Sequence, residues 1–486
     1  MMDVERGDLV LEEELVQLVK KVINEKCEKK HIELKKAAGG IPTKLYNTLS
    51  SFSNQSEGGT IIFGIDEDAG YEIVGVYDAQ TLQKKLVEQS LQMQPVVRPL
   101  FTVARIKDKL VVSAEIYECD IYDKPCFYKG AGRLRGSYIR VGDSDQPMTE
   151  YEIYSYEAFK KRINDELRTV DRATMDNLSK NNVAEYLMML RRQKPNLLNL
   201  KDGRLLETQG ACQGEFPTVA GLMLLAAYPQ EFFPQLSVTA MVVQGKAIGE
   251  LGDDGERFID NKRIEGTIPQ MLEGTLAFAR RNTRMKTIIA EDGTRADKSE
   301  YPIKALREII LNALIHRDYS VHTERSPIRL VMYEDRLELE NPGGLYGRIT
   351  VDNLGKVSAD TRNPYMAGAL EIMIGTENRF SGIPTILTEL KKAGMPAPVF
   401  INKRGVFKVI FYKKVANENK DNNIEQEILN YCIKPRSREE LVKKFGFEAP
   451  TYFIKTYIHP LIEDGKIYMT LPEKPRSKFQ KYYTKL

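Results

Sequence analysis

The chain has 486 residues, of which 42% are hydrophobic and 29% are charged, and its formal net charge is +3. This length is too great for one hydrophobic core, and at roughly 100–200 residues per domain it predicts about three domains. The composition excludes a globally disordered chain. Because no run of about 18 apolar residues occurs, we expect no membrane span. The five scattered cysteines form no CxxC pair, which favours reduced thiols in a cytoplasmic protein.

The N-terminal segment, residues 1–150, places acids and lysines at short spacings. Glu28 and Glu33 lie five positions apart, Lys35 and Lys36 follow them, and Glu67 follows Asp66 after a strand-like apolar run. On one interpretation of these spacings, Glu33 pairs with Lys35 or a neighbouring arginine. The lysines then form either a phosphate-binding face or an ordinary solvated surface.

Residues 151–300 have a mixed helix and strand pattern with no recognisable chemistry, and we interpret them as an α/β connector.

The segment 301–416 differs from the connector because it contains residues with recognisable chemistry. Glu308 and Asn312 lie four apart in a helical pattern, so they share one face. Asn312 offers an uncharged oxygen to Mg²⁺, and Glu308 could position or deprotonate a water.

Two glycine turns follow this helix. The strand pattern RLELE runs into NPGGL, which holds Gly343 and Gly344, and later Ser381 and Gly382 precede another helical pattern. Glycines let backbone N–H groups approach phosphate oxygens, and a helix N-terminus favours negative charge. No GxxxxGK[ST] motif occurs, which excludes a P-loop nucleotide site.

The last segment, 424–486, has the pattern of a winged helix-turn-helix: two helices, a recognition-like helix and a hairpin rich in Lys, Arg and Tyr. Wings of this kind contact phosphates, and the helix reads bases. A winged helix that docks a protein or dimerises is the alternative. The candidate nucleic-acid contacts here are Thr451, Tyr452, Lys455, Arg476, Lys478 and Lys481.

Taken in order, these motifs resemble two families. The segment ALREIILNALIHRDYS, with DRLELENPGGL and RFSGIPTIL, resembles the Bergerat (GHKL) ATP-binding fold, in the divergent branch with helicase-related (RecG) annotation. E-x4-E-x-K, FSN…GGTIIFGID and YIRVG resemble the Schlafen AlbA-like (AlbA_2) domain. The resemblance implies an α/β (α+β) multidomain protein that binds ATP and Mg²⁺, with an AlbA-like α/β domain, an α/β sandwich and the winged helix.

By the same resemblance, Gly343, Gly344, Ser381 and Gly382 line the nucleotide. Glu340 or Asn341 stands in for the aspartate that reads adenine in relatives, and Arg317 contacts the nucleotide. Glu28, Glu33 and Glu67 match the three carboxylates that some Schlafen ribonucleases use. The resemblance implies that they would hold Mg²⁺ or Mn²⁺, which would activate a water and neutralise a phosphate.

The sequence therefore predicts an ATP-binding, nucleic-acid-binding protein, a transcriptional regulator whose engagement of DNA or RNA is switched by nucleotide. The alternative is a metal-dependent Schlafen-type nuclease that acts on RNA, tRNA or DNA in phage defence and is controlled by ATP. Weak ATPase activity through Glu308 and Mg²⁺- or Mn²⁺-dependent nuclease activity both stay open. We expect a homo-oligomer, most simply a dimer.

Overall fold

The computed structural model describes residues 12–26, 30–251, 255–289, 295–358, 360–375, 382–413, 418–445, 447, 453–473, 477 and 480–484. Side chains are described for these residues except 285–289, 295–298, 418–423, 426, 455 and 463. Contacts divide the chain into two units, Met1–Asn164 with Tyr346–Arg348 and Asp165–Leu345 with Ile349–Leu486. No helix in the described ranges is long and apolar enough to cross a bilayer. Both units combine helices with sheets, which confirms the α/β (α+β) multidomain class.

The first unit is built on a central four-stranded sheet. Its helices are α1 (Glu12–Glu25), α2 (Tyr46–Asn54), α3 (Ala79–Ser90), α4 (Gly132–Gly136) and α5 (Glu150–Lys161). Its strands are β1 (Ile32–Lys35), β2 (Gly59–Phe63), β3 (Ile65–Asp66), β4 (Glu72–Ile73), β5 (Met93–Gln94), β6 (Leu100–Ile106), β7 (Lys109–Ile116), β8 (Phe127–Tyr128), β9 (Tyr138–Val141) and β10 (Ser144–Pro147).

The central sheet has the order β1-β2-β7-β6, with β1 parallel to β2 and the other pairs antiparallel. Successive side chains of β2 point to opposite faces, as the pleat requires. Ile61 and Phe63 pack in the core with residues of α2 and α3, whereas Ile62 packs with α1. Glu33 pairs with Ile61 in the β1–β2 register, so its side chain belongs to the face that α2 and α3 cover.

The second unit contains a larger mixed sheet and its helices. The helices are α6 (Lys180–Gln193), α7 (Asp202–Thr208), α8 (Val219–Leu225), α9 (Ile268–Arg281), α10 (Ile303–His316), α11 (Pro364–Ile374) and α12 (Gly382–Lys392). The strands are β11 (Cys212–Gln213), β12 (Phe216–Pro217), β13 (Val238–Val243), β14 (Phe258–Ile264), β15 (Met285–Ile289), β16 (Arg295–Ser299), β17 (Ile328–Met332), β18 (Arg336–Pro342), β19 (Val399–Lys403) and β20 (Val406–Tyr412).

The main sheet of this unit has the order β14-β13-β17-β18-β20-β19. Only the β13–β17 pair is parallel among its neighbouring strands. One face carries α9, α10 and α12, whose apolar residues share one core with those of the sheet. Strands β13 and β14 come from the segment that we expected to be a connector. The sheet therefore crosses the expected boundary between residues 300 and 301.

The C-terminal part of the second unit contains α13 (Glu418–Tyr431), β21 (Arg436–Ser437), α14 (Arg438–Phe445), a π-helical turn (Ile454–Ile458), α15 (His459–Glu463), β22 (Tyr468–Met469) and β23 (Lys481–Tyr483). The three strands form a sheet of order β21-β23-β22. The recognition-like helix of the sequence pattern contains this π-helical turn, and the backbone passes from Ile458 into His459 in helical geometry. Pro460, which has no N–H to donate, follows the π-helical turn directly.

Candidate nucleotide site and the paired acids of the first unit

Helix α10 presents the first two candidate residues to the start of α12. Apolar side chains recur along α10 with helical spacing and are buried against the sheet, which leaves Glu308 and Asn312 half-buried beside this core. A Cβ placed on Gly382 would lie 3.0 Å from Asn312 Nδ2 and 3.2 Å from Glu308 Oε2. The predicted carboxylate, carboxamide and glycine are therefore adjacent in space.

The two polar side chains at this point are available for other contacts. Among the described residues, neither Glu308 nor Asn312 has a hydrogen-bond or ion-pair partner. Burial raises the pKa of the Glu308 carboxyl, and neighbouring Arg307 opposes that rise. Ser381, which precedes Gly382, lies outside the described residues. Within the described chain, Glu308 and Asn312 thus carry oxygen atoms that could bind a metal ion, and neither side chain is engaged in holding the fold together.

The end of β18 distinguishes the two candidate base-reading residues. Glu340 shares its face of the sheet with Glu338, and both carboxylates pair with Lys408 at 2.8 Å. Asn341 points to the opposite face with Leu339, which packs in the core beneath α10. It is 4% exposed, and its Oδ1 has no hydrogen-bond partner among the described residues. Asn341 is therefore the candidate on the helix-covered side.

The first glycine turn follows directly and needs its glycines. Gly343 has φ +103°, and a Cβ there would lie 2.5 Å from Arg362 Nη1 and 2.7 Å from Asp318 Cβ. The Asp318 carboxylate pairs with Arg362 at 3.3 Å, and Arg362 also donates to the carbonyl of Gly344 at 3.2 Å. On the other side, Asn402 Oδ1 accepts from the Leu345 N–H at 3.0 Å. The turn is held by a buried ion pair as well as by backbone geometry.

A second set of contacts fixes the C-terminal end of α10. Asn363 is fully buried, and its Nδ2 donates to the carbonyls of Ile315 and Arg317 at 2.7 Å each. These carbonyls belong to the last turn of the helix, where no intrahelical donor remains. The Arg317 side chain is buried too, and it donates to the carbonyls of Thr323 and Ser326. In this structure the Arg317 side chain therefore holds the following loop, and its contact with a nucleotide stays a prediction.

Glu166 binds backbone groups at the start of α11, as Asn363 does at the end of α10. Its carboxylate oxygens accept from the backbone N–H groups of Tyr365 and Met366 at 2.9 and 2.8 Å. Burial raises the pKa of Glu166 to about 7, and the two N–H donors oppose the rise. Helix α11 begins next to Arg362 and Asn363, so this buried acid supports the residues that hold the glycine turn and α10.

Sequence reasoning did not identify these supporting residues. Asp318 lies in the HRDY sequence, in which only Arg317 was given a contact, and Asn363 precedes a proline in a pattern typical of a helix start. Either signal could have drawn attention to them. Glu166 precedes its partners by about 200 residues, and no local pattern indicates that contact.

In the first unit, Glu33 belongs to a buried network of charges. Its carboxylate pairs with Arg140 at 2.7 Å and also with Lys35. Arg140 pairs in addition with Asp145 at 3.0 Å, donates to the carbonyl of Ile32 and lies over the Phe52 ring at 5.3 Å. Glu33 is 8% exposed. Arg140 and Lys35 therefore already compensate the negative charge of Glu33, which the predicted metal site would need to bind its cation.

The other members of the predicted carboxylate set lie apart from this network or outside the description. Glu67 is exposed and accepts from the Tyr71 hydroxyl at 3.0 Å. Lys36 pairs with Asp66 at 2.6 Å, which lowers the pKa of that carboxyl. Glu28 lies outside the described residues. Among those that are described, no three His, Cys, Asp or Glu residues form a group that could hold a metal ion.

Most of the predicted C-terminal contacts also fall outside the described ranges. This applies to Thr451, Tyr452, Arg476, Lys478 and the side chain of Lys455. Lys481 is described: it begins β23, is exposed, and its backbone pairs with Thr470.

Three segments of the chain match protein-family models. Residues 28–149 match "Schlafen, AlbA_2", and residues 325–411 match HATPase_c_4, described as "Putative ATP-dependent DNA helicase recG C-terminal". These matches confirm the two family resemblances. The second begins after Glu308 and Asn312 but includes Asn341, Gly343 and Gly382. Residues 426–484 match "Filamentation induced by cAMP protein Fic-like, C-terminal domain", and the winged helix stays a prediction.

No curated protein matches the chain. Among solved structures, the DIP2311 protein from Corynebacterium diphtheriae is 17% identical, with 93% of each chain covered and a TM-score of 0.40. The N-terminal domain of a RecG-related protein from Nitrosomonas europaea is 27% identical, covers 27% of this chain and 92% of that one, and has a TM-score of 0.23. At these TM-scores neither structure carries an argument about this chain.

Proposed function

We propose that this chain is an ATP-binding, nucleic-acid-binding regulator in which the nucleotide switches the engagement of DNA or RNA. The proposal that the chain binds ATP rests on one observation: Glu308, Asn312 and Gly382 lie next to one another at the start of α12. The two side chains have no structural partner among the described residues, and the segment from 325 to 411 resembles an ATP-binding family.

The phosphates and the metal ion of a nucleotide have matching groups at this place. The N-terminus of α12 would direct the backbone N–H groups of its first residues and the positive end of its dipole to phosphate oxygens. Asn312 would hold Mg²⁺, a cation that prefers oxygen ligands and keeps several of its waters. Bound Mg²⁺ would neutralise phosphate charge. The Glu308 carboxylate would orient a water, and burial favours its action as a proton acceptor because it raises the pKa.

The carboxamide of Asn341 suits the adenine base. Its Oδ1 is buried and has no partner in the described chain, and a buried acceptor without a partner costs about 1–3 kcal/mol. An asparagine can accept from the adenine amino group and donate to a ring nitrogen with the same carboxamide. Binding adenine would therefore satisfy a group that the protein alone leaves unsatisfied, and Asn341 takes the place of the aspartate of relatives.

The nucleic-acid part of the proposal rests on the regions at the two ends of the chain. The first unit resembles the AlbA_2 family. The C-terminal order of helix, strand, two helices and two strands, with Lys481 exposed on its last strand, agrees with a winged helix. The nuclease alternative has no comparable support, because Glu33 is engaged with Arg140 and Lys35.

Calorimetric titration of the full chain with ATP in the presence of MgCl₂ tests the proposal. Asn312→Ala should weaken binding at least about tenfold, which corresponds to about 1.4 kcal/mol. Asn261→Ala, a matched change on the exposed edge strand β14, should leave the affinity unchanged. Absence of ATP binding by the unmodified protein would refute the nucleotide site. An oligonucleotide affinity that is identical with and without ATP would refute the switch.

A further inference from the structure

The exposed segment between β8 and β9, which includes most of α4, concentrates positive charge, and among the described residues only one of its three cations has an acidic partner. We call Lys129–Arg135, with the sequence KGAGRLR, the basic turn. Lys129 and Arg135 are exposed, and neither has an acidic partner among the described residues. The Lys129 ammonium donates only to the carbonyl of Leu91, at 3.0 Å. Arg133 is the exception, since it pairs with Glu157.

The basic turn has a fixed shape. Its first residue follows Tyr128 of β8, and a Cβ on Gly136 would lie 2.6 Å from the Tyr128 carbonyl oxygen. Gly130 lies against the Tyr128 ring, where a Cβ would come within 2.4 Å of it. The basic turn thus packs closely on β8, so the backbone that carries its cations is held in place. Little ordering entropy is then lost when a ligand binds.

An aromatic pair adjoins the basic turn. The rings of Tyr46 and Tyr128 are stacked with centroids 3.8 Å apart and planes 13° apart, and both residues are half-exposed. Lys44, two residues before Tyr46, is exposed and has no acidic partner in the described chain. Cations beside partly exposed aromatic rings form the type of surface that binds single-stranded nucleic acids, because bases stack on rings while cations meet phosphates.

The two lysines that the sequence predicted as phosphate contacts differ from the cations of this surface, because both have acidic partners. Lys35 pairs with Glu33, and Lys36 pairs with Asp66. A cation that is already paired gains less from a phosphate, since the existing partner must be displaced. We propose that the basic turn, together with Lys44 and the tyrosine pair, docks the backbone of a single-stranded nucleic acid. This inference rests on the proposed function, because it assigns the nucleic-acid contact of the first unit to a particular surface.

The test measures binding of fluorescein-labelled oligothymidine to the full chain across a series of KCl concentrations. Lys129→Ala with Arg135→Ala should make the plot of log affinity against log salt shallower by about 1.4, at about 0.7 for each phosphate contact on a single strand. Arg105→Ala with Lys107→Ala removes the same two charge types from the β6–β7 end of the first unit, where both residues are exposed. This control should keep the original slope and affinity.

The aromatic part needs a separate variant. Tyr46→Leu should weaken single-strand binding several-fold and Tyr46→Phe should restore it, with the melting temperature of each variant confirming that it folds. Binding that is equally tight for single strands and for the duplex would overturn the single-strand assignment. An unchanged salt slope in the Lys129 and Arg135 variant would overturn the proposed surface and leave the proposed function standing. Failure of the unmodified chain to bind any oligonucleotide would instead refute the nucleic-acid function itself.

Discussion

The two regions in which the sequence placed catalytic acids use their charged groups in opposite ways. In the first unit, Glu33 lies between Arg140 and Lys35, and Arg140 also holds Asp145. In the second unit, Glu308 and Asn312 lie beside Gly382 without a partner among the described residues. The first arrangement stabilises a fold, whereas the second leaves polar groups available to a ligand.

This difference shows that a motif position does not by itself define a role. Acids in a family motif can be compensated by cations that are distant in sequence, as Arg140 compensates Glu33 across about a hundred residues. The functional interpretation is better supported where buried polar atoms remain unsatisfied, as at Asn341 Oδ1. Substitutions that separate stability from ligand binding can test this contrast.

The largest effect is expected from Arg140→Met. Methionine keeps much of the side-chain length but leaves the carboxylates of buried Glu33 and half-buried Asp145 without their shared cation. Loss of one member of a buried ion pair costs about 3–5 kcal/mol, so chemical denaturation should show a free energy of unfolding of the first unit lower by about that amount. Lys36→Met removes an exposed partner of Asp66 and should have little effect. Equal stability of Arg140→Met and the unmodified protein would mean that the network does not support the fold.

The fold was predictable from sequence where periodicity is local. The helical spacing of α10, the alternation in β18 and the capping residues of α5 follow from neighbouring residues. The opposite faces on which Asn341 and Glu340 lie also follow from alternation, once the pairing of β18 is known. The contacts between Glu166 and α11, and between Arg140 and Glu33, could not be predicted, because they join residues that are far apart in the chain.

The next largest effect concerns the glycine turn. Gly343→Ala would force a side chain into a backbone conformation with φ +103° and against Arg362 and Asp318. We expect a loss of about 3 kcal/mol, the sum of backbone strain and overpacking, together with weaker ATP binding. Gly368→Ala is the control, because a Cβ there meets nothing within 4 Å inside α11. That change should be neutral or slightly stabilising, and similar melting temperatures for the two variants would contradict the packing argument.

Glu166 is a third kind of acid, different from both Glu33 and Glu308. It is buried, and its carboxylate is held by backbone N–H donors and not by cations. Its pKa is raised from the ordinary 4.5 to about 7, so the folded state holds the proton more tightly than the unfolded state does. Its contribution to stability is therefore complete below about pH 4.5 and is lost as the pH rises to about 7, by up to about 3 kcal/mol.

Glu166→Gln cannot ionise, so it should flatten the stability of the second unit across this pH window. Unfolding measured by circular dichroism at several pH values gives the comparison. An identical pH profile in the variant would show that another group titrates. The Glu33→Gln variant serves as a reference for the acid that is paired with cations.

The most direct comparison of the two regions comes from the same substitution in each, and the smallest effect on stability is expected for its Glu308 member. Glu33→Gln removes a charge that Arg140 and Lys35 compensate, so it should lower the melting temperature. Glu308→Gln removes a half-buried carboxylate whose pKa is raised by burial, so at pH 8 it should leave stability unchanged or raise it by up to about 1 kcal/mol. If the protein hydrolyses ATP, Glu308→Gln should abolish turnover while ATP binding persists. A marked loss of stability in Glu308→Gln would place this acid in the same structural class as Glu33 and would remove the distinction on which the nucleotide site rests.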